Sequence, residues 1–307
     1  MWLHCANSVT TSRVRLDKQW DGTTYGNGLM HRWLIGLLRR IDVRCIYVFA
    51  YVFVVPPCLF RPGFKFIYRF FRERFGHSPI KAFWKTYLNH CVFAEAVIDK
   101  FAMYAGKKFD IQIEGYDHFL RLADQEAGFV QLSSHMGNYE IAGYTLVAET
   151  KRFNAIVYLG EKASVMENRN KMFSQTNIRM IPIRQDMGHL FEIDQALSDG
   201  EIVSIPGDRI WGSKKVLKAE FLGCEARFPM GPFTVAAMRG LDVLAVNVMK
   251  ESWKRYRIYV TPLDYDKEAS RRTQTDQLLH SYVAELERLL KQYPTQWYNY
   301  FDFWKDE

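Results

Sequence analysis

From residue 110 onward, short apolar segments alternate regularly with segments that have the periodicity of helices. The apolar segments have the usual length of β-strands, and strands that alternate with helices favour a parallel sheet with helices packed on both faces. We therefore predict an α/β fold with a mostly parallel central sheet flanked by helices, in which ligands bind beyond the carboxyl ends of the strands. The predicted strands are 110–114, 128–133, 154–159, 178–183, 201–206, 243–249 and 256–261, and the predicted helices are 138–149, 163–176, 187–199, 232–239 and 271–292.

The first third of the chain differs from the rest because it holds all of the surplus positive charge. Residues 1–110 contain 17 Lys or Arg and 7 Asp or Glu, whereas the remaining residues contain 24 and 27. A localised positive charge indicates an anionic partner, which can be a membrane, a nucleic acid or an acidic protein. We expect no nucleic-acid binding, since no recognised nucleic-acid-binding motif accompanies the basic residues.

We divide the chain into two regions on the basis of this contrast. Residues 1–106 are predicted to form an N-terminal helical, basic and aromatic region that associates with a membrane, and residues 107–307 an α/β core. No low-complexity linker separates them, so we expect the two regions to pack as one unit.

The most apolar run of the sequence is 45–60, which carries no charge. Its length falls short of the roughly 20 residues that a helix needs to cross a bilayer. Pro56 and Pro57 are expected to break the helix before it could cross. The run also begins too far along the chain for a signal peptide. We interpret it as a buried or interfacial helix, with a shallow re-entrant hairpin as the second option.

Two further helical patterns follow this apolar run. In 63–76, one stripe contains Phe64, Ile67, Tyr68, Phe71 and Phe75, and basic residues flank it at Lys65, Arg69 and Arg72. This pattern fits a helix in a membrane interface or an amphipathic helix packed on the domain, and the neighbouring apolar run favours the membrane interface. In 80–105, the predicted inner face of a long helix consists of Phe83, Trp84, Tyr87, Leu88, Cys91, Ile98 and Phe101.

Candidate catalytic residues are concentrated in the segment SSHMGNYE, where the strand 128–133 gives way to a helix. His135 lies on the turn, Gly137 permits a tight bend, and Asn138 is a good helix cap. Glu140 follows His135 by five positions, which is about 500° on a continuous helix, so the two side chains can meet only if His135 precedes the helix.

The chemistry of such a pair is that of a general base and its partner. A neutral imidazole accepts a proton from a hydroxyl or amine that attacks an acyl carbonyl, and a carboxylate on the other ring nitrogen stabilises the imidazolium. Backbone N–H groups at the start of the following helix are expected to help an oxyanion. The alternative is chance, since a His and a Glu at this spacing recur often.

These residues resemble the H-x4-D/E motif of the lysophospholipid acyltransferase superfamily, and more narrowly the bacterial lipid A biosynthesis (late) acyltransferase family. Further segments resemble that family in the same order along most of the chain: Pro206-Gly207-Asp208-Arg209, Phe221-Leu222-Gly223, Met230-Gly231-Pro232 and Pro294-Thr295-Gln296-Trp297. The segment Phe228-Pro229-Met230-Gly231-Pro232 departs from the F-P-E-G-T-R motif of the phospholipid-remodelling branch, which argues against an acyltransferase of the glycerol-3-phosphate type.

The resemblance implies that His135 is the general base and Glu140 its partner. It also implies substrate-binding roles for Asn138, Arg169, Asp208 and Arg209, although a solvated helical Arg169 and a simple turn residue at Asp208 remain alternatives. It implies an acyl thioester as co-substrate and no cofactor or metal. Acyl carrier protein is the preferred donor over coenzyme A, because the basic first third suits an acidic carrier, although it suits anionic lipid equally well.

The same resemblance implies membrane lipids as partners and a peripheral or monotopic position on the cytoplasmic face of the bacterial inner membrane. The acceptor can be lipid A, another glycolipid, an aminolipid or a pigment-type molecule. A rival hypothesis is a non-catalytic, membrane-associated lipid-binding or scaffold protein, which would need the N-terminal region but not the His–Glu pair.

Overall fold

The structure, a computed structural model, describes residues 28–146, 148, 150–157, 177–184, 186–210 and 215–304. The predicted helix 163–176 and Arg169 lie outside the described residues. The central sheet has seven strands: β1 (Asp110–Glu114), β2 (Phe129–Ser133), β3 (Phe153–Val157), β4 (Ile178–Pro182), β5 (Ile202–Pro206), β8 (Val243–Lys250) and β9 (Arg255–Pro262). Their order is β1-β9-β8-β2-β5-β3-β4, and every neighbouring pair is parallel except β8 with β9. The mostly parallel α/β sheet predicted from the sequence is therefore confirmed.

The centre of the sheet is formed by the strands whose sequences are continuous apolar runs. All eight residues of β8 are buried, as are the first four residues of both β2 and β5. Burial on both faces explains why these strands show no alternation of polar and apolar residues. In the register of β2 and β5, Ser133 lies opposite Pro206, so the two strands end at the same edge of the sheet.

Helices cover the sheet, and most of those described lie close to their predicted positions. They are α6 (Tyr116–Ala123), α7 (Tyr139–Thr145), α8 (Gly188–Ser198), α9 (Met230–Arg239) and α10 (Arg271–Gln292). Two features were not predicted from the sequence: α6, and the hairpin of β6 (Val216–Phe221) and β7 (Cys224–Pro229). Leu222 and Gly223 connect these two strands with positive φ angles of 53° and 77°. A two-residue connection with this backbone twist is the usual hairpin turn, although Leu is a rare residue at such a position.

The N-terminal region is helical throughout the part that the structure describes. It contains α1 (Gly28–Arg40), α2 (Val43–Phe49), a π-helix (Ala50–Val54), α3 (Val55–Cys58), α4 (Pro62–Glu73) and α5 (Pro79–Tyr104). The helical run ends at Cys58, directly after Pro56 and Pro57, although the prolines themselves do not interrupt it. The π-helix precedes them and both prolines lie in the first turn of α3, where a missing N–H is tolerated.

The aromatic stripe of residues 64–75 packs mainly on the protein. Ile67, Phe70 and Phe71 of α4 are buried in the same hydrophobic core as the central sheet, while Phe64 is only partly buried. Most of the stripe therefore packs on the domain, and contact of this helix with a membrane stays a prediction. The predicted inner face of α5 is wrong at its start, because Phe83, Trp84 and Leu88 are exposed there. Buried residues in that half of the helix are Ala82, Thr86, Asn89, His90 and Cys91.

A buried cluster of charges joins the N-terminal helices to the sheet. The Lys250 ammonium at the end of β8 lies 2.6 Å from carboxylate oxygens of both Asp99 and Glu95 of α5. The hydroxyls of Tyr47 and Tyr256 donate hydrogen bonds to Asp99, which is fully buried. Removal of one member would leave a buried charge without compensation, so this cluster ties α2 and α5 to β8.

Among the described helices, no single helix is long and apolar enough to cross a membrane. One pair, Val43–Cys58 with Pro62–Glu73, meets the length and composition requirement together but is bent by 96°.

Candidate active site

His135 and Asp208 come together because two neighbouring parallel strands end at the same level. Ser133 and Pro206 are the last paired residues of β2 and β5, and the Gly207 N–H donates to the Ser133 carbonyl at 2.9 Å. Two residues beyond this pair, the chain reaches His135 after β2 and Asp208 after β5. The carboxyl edge of the sheet, where the sequence predicts a ligand site, therefore carries both side chains.

Asp208 holds His135 at two points. The Nδ1 atom of His135 lies 2.7 Å from Oδ1 of Asp208, and the backbone N–H of His135 donates to Oδ2 at 2.8 Å. The indole Nε1–H of Trp297 donates to the same Oδ2 at 3.1 Å. Because a carboxylate only accepts hydrogen bonds, the proton of neutral His135 is on Nδ1, and Nε2 carries the lone pair.

The electrostatics of the pair keep the imidazole neutral and the carboxylate charged. Burial lowers the pKa of His135 below its ordinary value, and the Arg209 cation lowers it further, while Asp208 acts in the opposite direction. Burial alone would raise the pKa of Asp208, but the interactions with His135 and Arg209 outweigh burial and lower it. An imidazole in this state can accept a proton at neutral pH.

Glu140 is not the hydrogen-bond partner of His135, so the predicted contact is wrong. Glu140 is 6% exposed, and its Oε1 lies 3.0 Å from the Lys100 ammonium. The Tyr104 hydroxyl donates to its Oε2 at 3.1 Å. Glu140 lies in the first turn of α7 and its carboxylate binds residues of α5, while Asp208 occupies Nδ1 of His135.

The turn between His135 and α7 is held by backbone contacts that only glycine permits. Gly137 has a φ of +57°, and a Cβ atom added there would lie 1.8 Å from the Val248 carbonyl oxygen. The N–H of Gly137 donates to Gln296, and that of Asn138 to Val248. These two donors, which precede α7, are therefore occupied. The expectation that N–H groups at the start of α7 help an oxyanion stays a prediction.

Asn138 occupies the N-cap position of α7, but its side chain makes no capping hydrogen bond. Its amide instead donates to the Ala96 carbonyl of α5 at 3.3 Å. The predicted N-cap position is therefore confirmed without a side-chain capping bond, and the expected role in substrate binding stays a prediction.

Two further side chains lie beside the His135 ring. The guanidinium of Arg209 donates to the Tyr298 carbonyl at 3.2 Å and lies over the Phe301 ring at 5.6 Å. The Tyr139 ring packs edge-on against His135 at 6.2 Å and is half exposed. Trp297 and Lys100 were not predicted as site residues, although Trp297 lies in the Pro294-Thr295-Gln296-Trp297 segment. Among the described residues, no three His, Cys, Asp or Glu side chains are arranged to hold a metal ion.

Comparisons with known proteins give this geometry its context. None of the curated proteins matches the sequence. Among solved structures, the 1-acyl-sn-glycerophosphate (LPA) acyltransferase PlsC from Thermotoga maritima matches with a TM-score of 0.36 and 14% identity, over 83% of this chain and 99% of that chain. The sequence model of the bacterial lipid A biosynthesis acyltransferase family matches residues 94–306, which include His135, Glu140, Asp208 and Trp297. The match covers most of the chain, and the protein therefore belongs to the bacterial lipid A biosynthesis acyltransferase family.

Proposed function

We propose that this protein transfers a fatty acyl chain from an acyl thioester to a hydroxyl or amine of a lipid or glycolipid, with His135 as the general base. The observation that carries the proposal is the double hydrogen bond between His135 and the buried carboxylate of Asp208. This contact fixes both the backbone and the ring of His135. It leaves Nε2 as the proton acceptor on a ring that is 24% exposed.

In the proposed reaction, His135 first accepts a proton from the acceptor group and later returns it to the leaving group. Nε2 of His135 takes the proton of the acceptor hydroxyl or amine while its oxygen or nitrogen attacks the thioester carbonyl carbon. The tetrahedral intermediate then collapses, the carbon–sulfur bond breaks, and the imidazolium returns the proton to the leaving thiolate. Asp208 stabilises the imidazolium between these two steps without taking its proton.

Arg209 and Glu140 have different parts in this proposal. Arg209 is the cation beside His135, and we assign it to an anionic or carbonyl oxygen of a substrate. Glu140, the second residue of the sequence motif, supports the site through its buried ion pair with Lys100, which joins α7 to α5. Its effect on the reaction is then indirect, through the position of the His135 turn.

The experiment is an acyl-transfer assay on membranes that contain the wild-type protein or His135→Ala. Labelled acyl chain is supplied as acyl carrier protein thioester or as coenzyme A thioester, and transfer to total lipid extract is measured. We expect transfer by wild type, loss of roughly 10²–10⁴-fold in His135→Ala, and preference for acyl carrier protein. A folded His135→Ala protein with near-normal transfer would contradict the proposal. Equal turnover of both thioesters would contradict the predicted preference for acyl carrier protein.

We also propose a peripheral or monotopic position on the cytoplasmic face of the inner membrane. The support is a strip of exposed apolar side chains on the N-terminal helices, which we call the apolar strip: Trp33, Leu37, Val48, Phe49, Val52, Phe53, Val54 and Phe60. Phe60 is 92% exposed and Trp33 73% exposed, and exposed Arg32, Arg40, Arg44 and Arg61 occur on the same helices and connections. Exposed aromatic residues beside basic ones are typical of a protein that binds an anionic bilayer.

A scaffold protein without catalysis would use the same strip. It has no need of a buried carboxylate that fixes the tautomer of a half-buried histidine. Both forms of the protein would then fail to transfer label, which is the outcome that would favour the scaffold.

A further inference from the structure

The residues that follow α10 form a strap across the active site, which we define as 294–300. The Gly137 N–H donates to the Gln296 carbonyl at 2.8 Å, and the N–H of Tyr298 donates to the His135 carbonyl at 3.0 Å. Between these two bonds, Trp297 lies opposite Met136 in an antiparallel bridge. The strap therefore pairs with the turn that carries His135, as a strand would.

The strap is also fixed on its other side. The Gln296 side chain accepts from the Lys250 N–H at 2.8 Å and donates to the Lys250 carbonyl at 2.7 Å. The Asn89 amide of α5 donates to the carbonyls of Thr295 and Trp297 at 3.0 and 2.9 Å. Hydrogen bonds to the His135 turn, to β8 and to α5 therefore fix the strap at three separate parts of the fold.

The Trp297 ring is immobilised as firmly as its backbone. Trp297 is 1% exposed, and its ring packs edge-on against those of Phe70, Phe221 and Phe303 at centroid distances of 5.2 to 5.5 Å. In this position the indole N–H donates to Oδ2 of Asp208 at 3.1 Å. The same Oδ2 accepts the backbone N–H of His135.

We propose that Trp297 is a positioning residue of the reaction, which fixes the Asp208 carboxylate in the orientation that holds the His135 ring. This role rests on the proposed function, because it requires His135 to act as the base. The strap would then position both members of the pair, His135 and Asp208. Its backbone positions the His135 turn, and the indole of Trp297 positions the carboxylate.

Loss of the indole N–H donor should change both the pKa of His135 and kcat. An Asp208 carboxylate with one donor fewer attracts the imidazolium proton more strongly, so the pKa of His135 rises. Hydrogen bonds to charged groups are strong and one is lost, so we expect kcat to fall roughly 10-fold or more. A residue that served only to fill the core would lower stability without moving the pKa.

The structure offers a matched control in the same aromatic cluster. Trp304 lies 6.0 Å from Trp297, centroid to centroid, and its indole N–H donates to the Phe221 carbonyl at 3.3 Å, away from Asp208. Trp297→Phe and Trp304→Phe therefore each remove one indole and one hydrogen bond from the cluster. Only the first removes a donor from the carboxylate.

The experiment measures kcat and its pH dependence in detergent-solubilised full-length Trp297→Phe and Trp304→Phe, with thermal unfolding in parallel. A third protein carries the benzothienyl analogue of tryptophan at position 297, which keeps the ring system and replaces N–H by sulfur. We expect both position-297 proteins to lose kcat and to shift the acidic limb of the profile to higher pH, and Trp304→Phe to keep the wild-type limb.

Two results would overturn the inference. One is a wild-type profile and kcat in the benzothienyl protein. The other is an equal loss of kcat in Trp297→Phe and Trp304→Phe with neither profile moved. His135→Ala, assayed beside them, separates this failure from failure of the proposed function. If His135→Ala is active, His135 is not the base and the proposed function itself is wrong.

Discussion

The carboxylate of Asp208 accepts two hydrogen bonds from His135, one from the ring and one from the backbone, across 73 positions of sequence. Glu140, five positions away, binds Lys100 instead. The sequence motif therefore contains His135, while the carboxylate that holds the His135 ring follows the neighbouring strand β5.

The first prediction compares the two carboxylates directly. Asp208→Asn keeps the shape of the side chain but removes the charge that fixes the His135 tautomer, and we expect kcat to fall roughly 10²–10⁴-fold. Glu140→Gln should retain most activity per folded molecule, because its carboxylate does not contact the His135 ring. Steady-state kinetics, corrected for the folded fraction, measures both.

Double mutants identify which carboxylate works through His135. Asp208→Asn added to His135→Ala should cause little further loss, since residues that act as one unit are not additive. If Glu140→Gln shows that behaviour and Asp208→Asn does not, the assignment made from the structure is wrong.

The second prediction concerns the ion pair of Lys100 and Glu140, whose side chains are 10% and 6% exposed. Lys100→Met or Glu140→Gln alone leaves a buried charge without its partner, and each should lower the free energy of unfolding by about 3–5 kcal/mol. The double mutant removes both charges and should lose less than the sum of the two. Denaturant unfolding of the four proteins measures this coupling, and strict additivity would show that the pair does not stabilise the fold.

The third prediction concerns pH. General-base catalysis needs neutral His135, so activity should fall as the pH drops through its pKa, which burial and the Arg209 cation lower. Arg209→Met removes the cation, so the pKa should rise and the acidic limb of kcat against pH should move to higher pH. Arg209→Lys keeps the charge and serves as the control. Identical profiles for the two variants would show that the charge of Arg209 does not act on His135.

The central strands were predictable because burial on both faces gives β8 and its neighbours a continuous apolar sequence. The turn at His135 was predictable because Gly137 and the change of periodicity mark it. The partner of His135 was not, because the contact with Asp208 depends on the register of β2 with β5, which pairs Ser133 with Pro206. A local spacing of five residues gives no information on such a register, nor on the Lys100 side chain that neutralises Glu140.

The fourth prediction tests the turn beside the base. In Gly137→Ala the new Cβ would lie 1.8 Å from the Val248 carbonyl oxygen at a φ of +57°, so the turn must move. We expect loss of activity together with a lower melting temperature. Gly36→Ala is the control, because Gly36 lies within α1 with no atom near its Cβ position, and it should gain roughly 0.5–1 kcal/mol of stability. Wild-type activity and melting in Gly137→Ala would show that the turn tolerates a side chain.

The last prediction tests the apolar strip against a lipid surface. Phe49, Phe53 and Phe60 are all exposed, and the rings of Phe49 and Phe53 lie 5.1 Å apart. Burial of one such ring in the apolar part of a bilayer contributes about 1.5–3 kcal/mol, so each Phe→Ser change should weaken vesicle binding roughly 10-fold or more. The measurement is co-sedimentation with vesicles that contain anionic lipid, at low and high salt.

The control for this experiment uses exposed apolar residues on the helices of the α/β region. Phe191 of α8 and Met238 of α9 are 81% and 64% exposed, so Phe191→Ser and Met238→Ser change surface hydrophobicity to a similar extent outside the apolar strip. These variants should bind vesicles as wild type does. High salt should remove the contribution of the exposed arginines, because ions screen surface charges, but leave the contribution of the rings. If the strip and core variants lose binding equally, or if salt alone abolishes wild-type binding, then the strip does not insert and the N-terminal helices contact the membrane only through charge.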